Sequence, residues 1–176
     1  MTDHVKVPSD RIGVIVGRGG SIRKTIEARS SAKLEIDSET GSVHIVSSED
    51  PIGAMRAVEV ITAIGRGFSP EKAFRLFDDE MAMLELMDLS KVTSTPKELK
   101  RVKGRIIGKD GRTRDTIESL TTASISVYGK TVGAIGRPEQ IQIVRAAINM
   151  LIDGAPHSHV YNFLERKNRE LKKLGW

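Results

Sequence analysis

One segment of the 176-residue chain occurs twice in the same register, and this repeat limits the folds that the chain can adopt. When the sequence is shifted by 91 residues, residues 13–36 align without gaps over residues 104–127, and nine of the 24 pairs are identical. Each copy contains two glycines separated by two residues, at positions 17–20 and 108–111. Two copies in a chain of this length indicate a duplicated domain rather than a solenoid, which generally needs at least three units.

The pattern of apolar and turn-forming residues predicts the same element order, β-α-α-β-β-α, in both copies. In the first copy we expect these elements at residues 5–7, 10–16, 21–29, 33–37, 42–47 and 51–65. Their counterparts in the second copy are residues 83–89, 96–107, 112–120, 124–127, 131–136 and 138–152. Ser9 or Asp10 is expected to cap the first helix, Ser21 the second, and Asp50 with Pro51 the third.

Two further helical segments are predicted outside the repeats. One begins near Pro70, and the other is a basic helix at residues 158–174, after a Gly- and Pro-containing break. We therefore predict an α+β protein. Its parts are a first domain at residues 3–67, a helical linker at 68–81, a second domain at 82–154 and a basic C-terminal helix within 155–176.

In each copy the Gly-x-x-Gly segment separates the end of one helix from the start of the next. Glycine permits positive φ angles and has no side chain, so the backbone can turn sharply and approach a ligand closely. The N–H groups and the dipole at the start of the following helix favour a phosphate group. These features predict a clamp for a sugar-phosphate backbone, formed by Gly17, Arg18, Gly19 and Gly20 and by Gly108, Lys109, Asp110 and Gly111.

Basic residues concentrate around the second of these loops. The chain has 28 Lys and Arg against 23 Asp and Glu, a net charge of +5, and residues 96–114 alone carry a net charge of +6. A basic surface of this kind favours polyanions such as RNA. We expect phosphate groups to be neutralised by Arg18, Arg23, Lys24, Arg105, Lys109, Arg112 and Arg114.

The two loops resemble the signature of the KH family, an apolar residue followed by Gly-x-x-Gly between two helices, here residues 16–20 and 107–111. The resemblance implies two type I KH domains, each a three-stranded antiparallel sheet packed by three helices. It also implies that each loop clamps about four nucleotides of single-stranded RNA. The groove would lie between the loop helices and the edge strand, with Ile36 and Val127 in its apolar floor. Aromatic residues are only 4% of the chain, too few for recognition by stacking of the RRM or OB type.

A closer resemblance covers nearly the whole chain. Residues 104–114 and the tail at residues 154–165 are similar to those of archaeal members of the partner-of-Nob family of small-subunit ribosome-assembly factors. This resemblance implies binding near the 3′ end of the small-subunit ribosomal RNA during pre-rRNA processing. It also implies cooperation with the endonuclease Nob and contact with the alpha subunit of translation initiation factor two. Whether the first domain binds RNA or is a scaffold that docks one of these proteins is left open.

The sequence predicts neither an enzyme nor a cofactor site. A Walker motif needs a hydroxyl residue after its lysine, and Asp110 occupies that position after Lys109. Because the chain has no cysteine, thiol nucleophiles and Cys-based zinc sites are excluded. The consecutive acids at residues 78–80 point to different helix faces, so they do not predict a nuclease metal cluster. His157 and His159 are expected in a solvated loop rather than in a metal site.

Apolar runs, the N-terminal pattern and the cysteine content predict the cellular location of the protein. No apolar run reaches the length of about 18 residues that a membrane span requires, and the N-terminus lacks the pattern of a secretory signal. Together with the absence of cysteine, these observations predict a soluble cytoplasmic protein whose partners are macromolecules rather than small-molecule substrates.

Overall fold

The computed structural model describes residues 2–46 and 49–175. The chain divides into two compact units, Met1–Leu84 and Glu85–Trp176, which we call the first and the second unit. Each copy of the repeat forms a three-stranded antiparallel sheet with helices, in the predicted order β-α-α-β-β-α. The predicted α+β fold with a duplicated three-stranded sheet is therefore confirmed.

The first unit contains six elements of the repeat and two short helices. The six are β1 (Thr2–Lys6), α1 (Ser9–Val16), α2 (Ser21–Ser30), β2 (Lys33–Asp37), β3 (Ser42–Val46) and α3 (Pro51–Gly65). The short helices, α4 (Pro70–Ala73) and α5 (Arg75–Asp78), pack against α3. The sheet has the order β1-β3-β2 with antiparallel pairs, so β2 is an edge strand beside α2.

Two helix starts in the first unit differ from the prediction. α1 has Pro8 as its N-cap, so the predicted cap by Ser9 or Asp10 is wrong. Ser21 is the first residue of α2 and not its cap, because left-handed Gly20 leads directly into the helix. The third cap is confirmed, since the Asp50 carboxylate accepts a hydrogen bond of 3.0 Å from the Gly53 N–H.

In the first unit, β1 and β3 differ in how closely their ends match the prediction, and turn contacts and a proline determine where β1 ends. β1 lies earlier than predicted, because the N–H of Val7 donates to the Gly41 carbonyl at 2.7 Å, outside the ladder, and proline follows. β3 matches the prediction as far as Val46, and Ser47 lies outside the described residues. In the β2–β3 turn, hydrogen bonds from the N–H groups of Thr40 and Glu39 lower the pKa of the Asp37 carboxyl.

The second unit repeats this plan and adds one helix. Its elements are β4 (Met83–Asp88), α6 (Pro96–Ile107), α7 (Arg112–Thr121), β5 (Ser124–Tyr128), β6 (Thr131–Gly136), α8 (Pro138–Ile152) and α9 (His157–Lys173). The first two residues of β4 precede the division between the units. The sheet order is β4-β6-β5, which makes β5 the edge strand that corresponds to β2. The basic C-terminal helix is confirmed as α9, and it packs against α7 and α8.

Several residues that are identical in the two copies stabilise the fold. Ile15 and Ile26 are fully buried, as are their counterparts Ile106 and Ile117. The repeated glutamates join the second repeat helix to the edge strand, because Glu27 accepts a hydrogen bond from the Leu34 N–H and Glu118 accepts one from the Ile125 N–H, both at 3.0 Å. These pairs hold the helix that follows each loop in the same place.

Across residues 2–46 and 49–175, the structure contains no helix whose length and apolar character would let it cross a membrane.

Candidate nucleic-acid interface

The two Gly-x-x-Gly loops have the same backbone conformation. The φ and ψ angles are 74° and 174° at Gly17 and 76° and 173° at Gly108. The third loop position has 61° and 21° at Gly19 and 54° and 28° at Asp110. The fourth has 77° and 15° at Gly20 and 76° and 11° at its counterpart in the second loop. The two copies therefore present one loop geometry with different side chains.

The first glycine of each loop is required by its surroundings. A Cβ atom at Gly108 would lie 2.2 Å from Oγ1 and 2.7 Å from the backbone N of Thr113. At Gly17 it would lie 2.4 Å from Cγ1 of Ile22. Each of these glycines also has φ and ψ values that are essentially restricted to glycine. The start of the next helix thus approaches the loop more closely than any other residue would allow.

The loop tips are open and basic. Arg18 and Lys109 are exposed, and a Cβ atom at Gly19 would meet no atom within 4 Å. Asp110 occupies the same left-handed position in the second loop, which an aspartate tolerates better than most residues do. The space around each tip is free for a ligand.

The helix that follows each loop directs the positive end of its dipole at the loop. Neither α2 nor α7 has a side-chain hydrogen bond at its N-cap, where Gly20 and Gly111 stand. The first N–H of each helix, at Ser21 and Arg112, donates to a carbonyl of the loop, so the loop and the helix start form one unit at the positive dipole end. This arrangement is suited to an anionic group held against the backbone.

The predicted cations fall into two groups. Arg18, Lys24, Lys109 and Arg112 are exposed, and no ion pair is recorded for them among the described residues. By contrast, the guanidinium of Arg23 donates to the Leu34 carbonyl at 2.5 Å and that of Arg114 lies 3.6 Å from the Asp115 carboxylate. The first group is available to a ligand without breaking an existing contact.

Arg105 was predicted to neutralise a phosphate, but its guanidinium is hydrogen-bonded to backbone carbonyls within the second unit. Its Nε–H donates to the Leu151 carbonyl at 2.9 Å, and an Nη–H donates to the Ala155 carbonyl. Arg11 makes the equivalent pair in the first unit, to the carbonyls of Ile64 and Phe68, each at 2.8 Å. Both arginines thus tie the first repeat helix to the end of the third.

Ile36 and Val127 occupy the edge strands, as predicted. Ile36 lies two residues after fully buried Leu34 on the same face of β2, and Val127 lies two residues after buried Ile125 on β5. Both are half-buried, so each leaves part of an apolar side chain accessible on the helix side of the sheet.

Helix α9 brings two residues to the second loop that the sequence reasoning did not place there. His157 and Tyr161 line a groove of about 540 Å³ together with Arg101, Gly104 and other residues of α6 and α7. His157 and His159 both lie in the first turn of α9, so the prediction that they belong to a solvated loop is wrong. Their spacing of four residues, one helical turn, was the only signal in the sequence that both face one side.

Two identical glycines of the repeat have no structural explanation within the protein. Gly13 and Gly104 lie inside α1 and α6, are exposed, and a Cβ atom on either would meet nothing within 4 Å. Glycine inside a helix costs about 0.5–1 kcal/mol relative to alanine. Their positions lie four residues before each loop, on the helix face that leads to it. They leave the helix backbone open to a closely approaching ligand.

Comparisons with known proteins agree with this geometry. Residues 83–169 match the family described as eukaryotic type KH-domain, type I, and residues 2–63 match the KH domain family. The chain is 44% identical over 172 residues to a KH domain-containing protein of Methanocaldococcus jannaschii, covering 96% of this chain and 75% of that protein. It is 30% identical over 141 residues to the pre-rRNA-processing protein PNO1 of Chaetomium thermophilum, covering 79% of this chain and 53% of that protein.

A solved structure extends the likeness to three dimensions. The structure of an a/eIF2alpha–aDim2p–rRNA complex from Pyrococcus horikoshii contains a chain that is 48% identical to this one, with a TM-score of 0.90. The match covers 97% of this chain and 95% of that one. The resemblance to the partner-of-Nob family is thereby confirmed. On the identity, the coverage and the two KH domains in tandem, the chain belongs to the PNO1/Dim2 family of KH-domain proteins.

Proposed function

We propose that this protein binds single-stranded RNA in the 3′ end region of small-subunit ribosomal RNA, during ribosome assembly and pre-rRNA processing. One observation supports this most directly: both loops have the same open backbone, with the positive end of a helix dipole behind it and an exposed cation without an ion pair at the tip. The relatives named for pre-rRNA processing and the related complex with rRNA support the choice of RNA. The function is binding, without a catalytic step.

The second unit should dominate the affinity. Its loop lies within the segment of net charge +6, and the groove beside it is lined by α6, α7 and α9. RNA affinity of this kind depends on phosphate neutralisation and therefore falls as salt rises. Base preference would come from hydrogen bonds in the other groove, the one predicted between the loop helices and the edge strand, where Val127 is half-buried.

A second candidate function is protein docking by the first unit. Ile52, Met55 and Met81 expose 73%, 63% and 54% of their surfaces and line one cavity of this unit. Neighbouring exposed apolar side chains mark interaction sites. The initiation-factor alpha subunit in the related complex is the partner that we assign to this surface. Cooperation with Nob stays a prediction of the family resemblance, and a cytoplasmic location stays a prediction from the absence of cysteine, of a secretory signal pattern and of a long apolar run.

Charge reversal at the loop tips tests the RNA-binding proposal. Lys109→Asp should lower the affinity for single-stranded rRNA fragments by about tenfold to a hundredfold, because a charge-assisted contact of about 1.5–3 kcal/mol is lost. It should also reduce the slope of log affinity against log salt by about 0.7, the value for one phosphate contact on a single strand. Fluorescence titration at several salt concentrations measures both.

The control is the same Lys→Asp substitution at a position away from the loop. Lys91→Asp alters an exposed lysine that precedes α6 at the end opposite the loop, and we expect little change in affinity. The double change Arg18→Asp with Gly19→Asp tests the first loop, since aspartate already occupies the matching position of the second. If that variant binds RNA normally, the first unit serves docking. Normal binding by both loop variants, with circular dichroism unchanged, would contradict RNA binding by the loops.

The exposed helix glycine gives a test in which stability and affinity move in opposite directions. Gly104→Ala should raise the free energy of unfolding by about 0.5–1 kcal/mol, because alanine favours the helix and its Cβ meets no atom. It should lower RNA affinity about tenfold, because a methyl group forced into a packed contact costs about 1–3 kcal/mol. Chemical denaturation and RNA titration measure the two. A stabilised variant with unchanged affinity would show that RNA does not pass Gly104.

A further inference from the structure

We propose that α9 adds a nucleotide subsite to the second KH domain, in which a base stacks on the ring of Tyr161 beside that of His157 while Arg101 and Arg112 hold its phosphate. The inference rests on the proposed RNA binding and extends it beyond the nucleotides that the loop clamps. It concerns residues of α9, a helix that lies outside the β-α-α-β-β-α repeat.

The size and lining of the groove fit a nucleotide. Its volume of about 540 Å³ lies within the range of about 300–1,000 Å³ that is typical of small-ligand sites. Arg101 and Gly104 of α6 and Gly108 of the loop line it together with His157 and Tyr161 of α9. The groove reaches the loop itself, so a strand held there can continue into it.

The two rings are held in place before any ligand arrives. The Tyr161 hydroxyl lies 3.1 Å from the Thr113 hydroxyl, within hydrogen-bond distance. The Nε2–H of His157 donates to the Arg105 carbonyl at 3.0 Å, since a carbonyl only accepts. The ring centroids are 6.2 Å apart with an interplanar angle of 61°. Side chains fixed in this way lose little entropy when they bind a base.

Cations of the groove remain available for the phosphate. Arg101, Lys109 and Arg112 are exposed and line the groove, and no ion pair is recorded for them among the described residues. Arg105 also lines it, but its guanidinium is engaged by two carbonyl groups. The combination of free cations with aromatic rings is the one by which proteins bind single-stranded nucleic acid.

Tyr161 is not needed to fasten α9 to the domain. That role belongs to Val160 and Leu164, which are both fully buried, whereas Tyr161 is half-buried and turned toward the groove. In the first repeat, the position that corresponds to Thr113 is Ile22, which has no hydroxyl to orient a tyrosine. The subsite is therefore a property of the second unit.

The test compares a short RNA with a longer one on the full chain. Tyr161→Leu should weaken binding of an eight-nucleotide fragment from the 3′ end of the rRNA about tenfold, because stacking on one aromatic ring contributes about that much. It should leave the affinity for a four-nucleotide fragment, the length of the loop clamp, unchanged. Tyr161→Phe keeps the ring and should bind both fragments as the unmodified protein does.

Phe163→Leu is the matched control, because it removes another half-buried ring of α9 that does not line this groove. Equal loss on both fragments with Tyr161→Leu would mean that the residue only supports the fold and would overturn the subsite. Loss with Tyr161→Phe as large as with Tyr161→Leu, or no loss beyond that of Phe163→Leu, would overturn it as well. Failure of the unmodified protein to bind either fragment would instead refute the proposed function.

Discussion

Gly108→Ala is expected to lower the free energy of unfolding of the second unit by about 4 kcal/mol and to reduce RNA affinity by more than about a hundredfold. The backbone at Gly108 has φ 76° and ψ 173°, a region that costs other residues about 1–3 kcal/mol. The added Cβ would stand 2.2 Å from the Thr113 hydroxyl and 2.7 Å from its backbone N. Overpacking of this kind costs about another 1–3 kcal/mol.

The loop can relieve this clash only by moving away from α7, which separates the positive end of the α7 dipole from the loop tip and breaks the hydrogen bond from the Arg112 N–H to the Lys109 carbonyl. Loss of affinity therefore accompanies loss of stability. Urea denaturation and RNA titration measure the two effects. Gly111→Ala is the control, because its Cβ would meet only the flexible end of Arg114. Its cost should be about 1–2 kcal/mol, that of the left-handed conformation alone. Equal effects of the two substitutions would show that close helix approach does not shape the loop.

The loops could be predicted from the sequence because their determinants are local. A glycine with positive φ and a helix start are encoded within a few residues, and the duplication showed which residues recur. The bounds of α6, β6 and α8 were predicted without error for the same reason, since Pro96 and Pro138 mark two of their starts. Glycines and prolines at the ends of elements thus determine both the element bounds and the backbone conformation of the candidate site.

What could not be predicted depends on contacts between distant residues. Arg105 was assigned to phosphate on charge and proximity, but the carbonyls that engage its guanidinium lie 46 and 50 residues later in the chain. His157 appeared to be in a loop because proline precedes it, whereas Pro156 in fact is the N-cap of α9. No local sequence pattern indicates that α9, which follows the repeat, places residues beside the second loop.

The sequence alignment also conceals an equivalence that the structure shows. Arg11 and Arg105 perform the same task, although the repeat register places Arg11 over Val102 and Arg105 over Val14. A guanidinium that starts one helical turn away can reach the same carbonyl groups at the end of the third repeat helix. The two units therefore share this pair of hydrogen bonds in three dimensions, although the two arginines are not aligned in the sequence repeat.

Arg105→Met is expected to lower the free energy of unfolding of the second unit by about 3–6 kcal/mol. The guanidinium donates to the carbonyls of Leu151 and Ala155, at the point where α8 ends and the chain turns into α9. A hydrogen bond to a charged group contributes about 1.5–3 kcal/mol, and here two would be lost. Arg11→Met should produce a loss of similar size in the first unit, where both bonds measure 2.8 Å.

Arg105→Lys separates this structural role from phosphate binding. Lysine keeps the positive charge but lacks the planar fork that reaches two carbonyl groups at once. If Arg105 ties the helices, the lysine variant should remain destabilised by about 1.5–3 kcal/mol, the contribution of one lost charge-assisted bond. Its salt slope for RNA should be that of the unmodified protein, because no phosphate contact is removed. Full stability in Arg105→Lys, together with a salt slope that falls only in Arg105→Met, would show instead that the residue neutralises a phosphate.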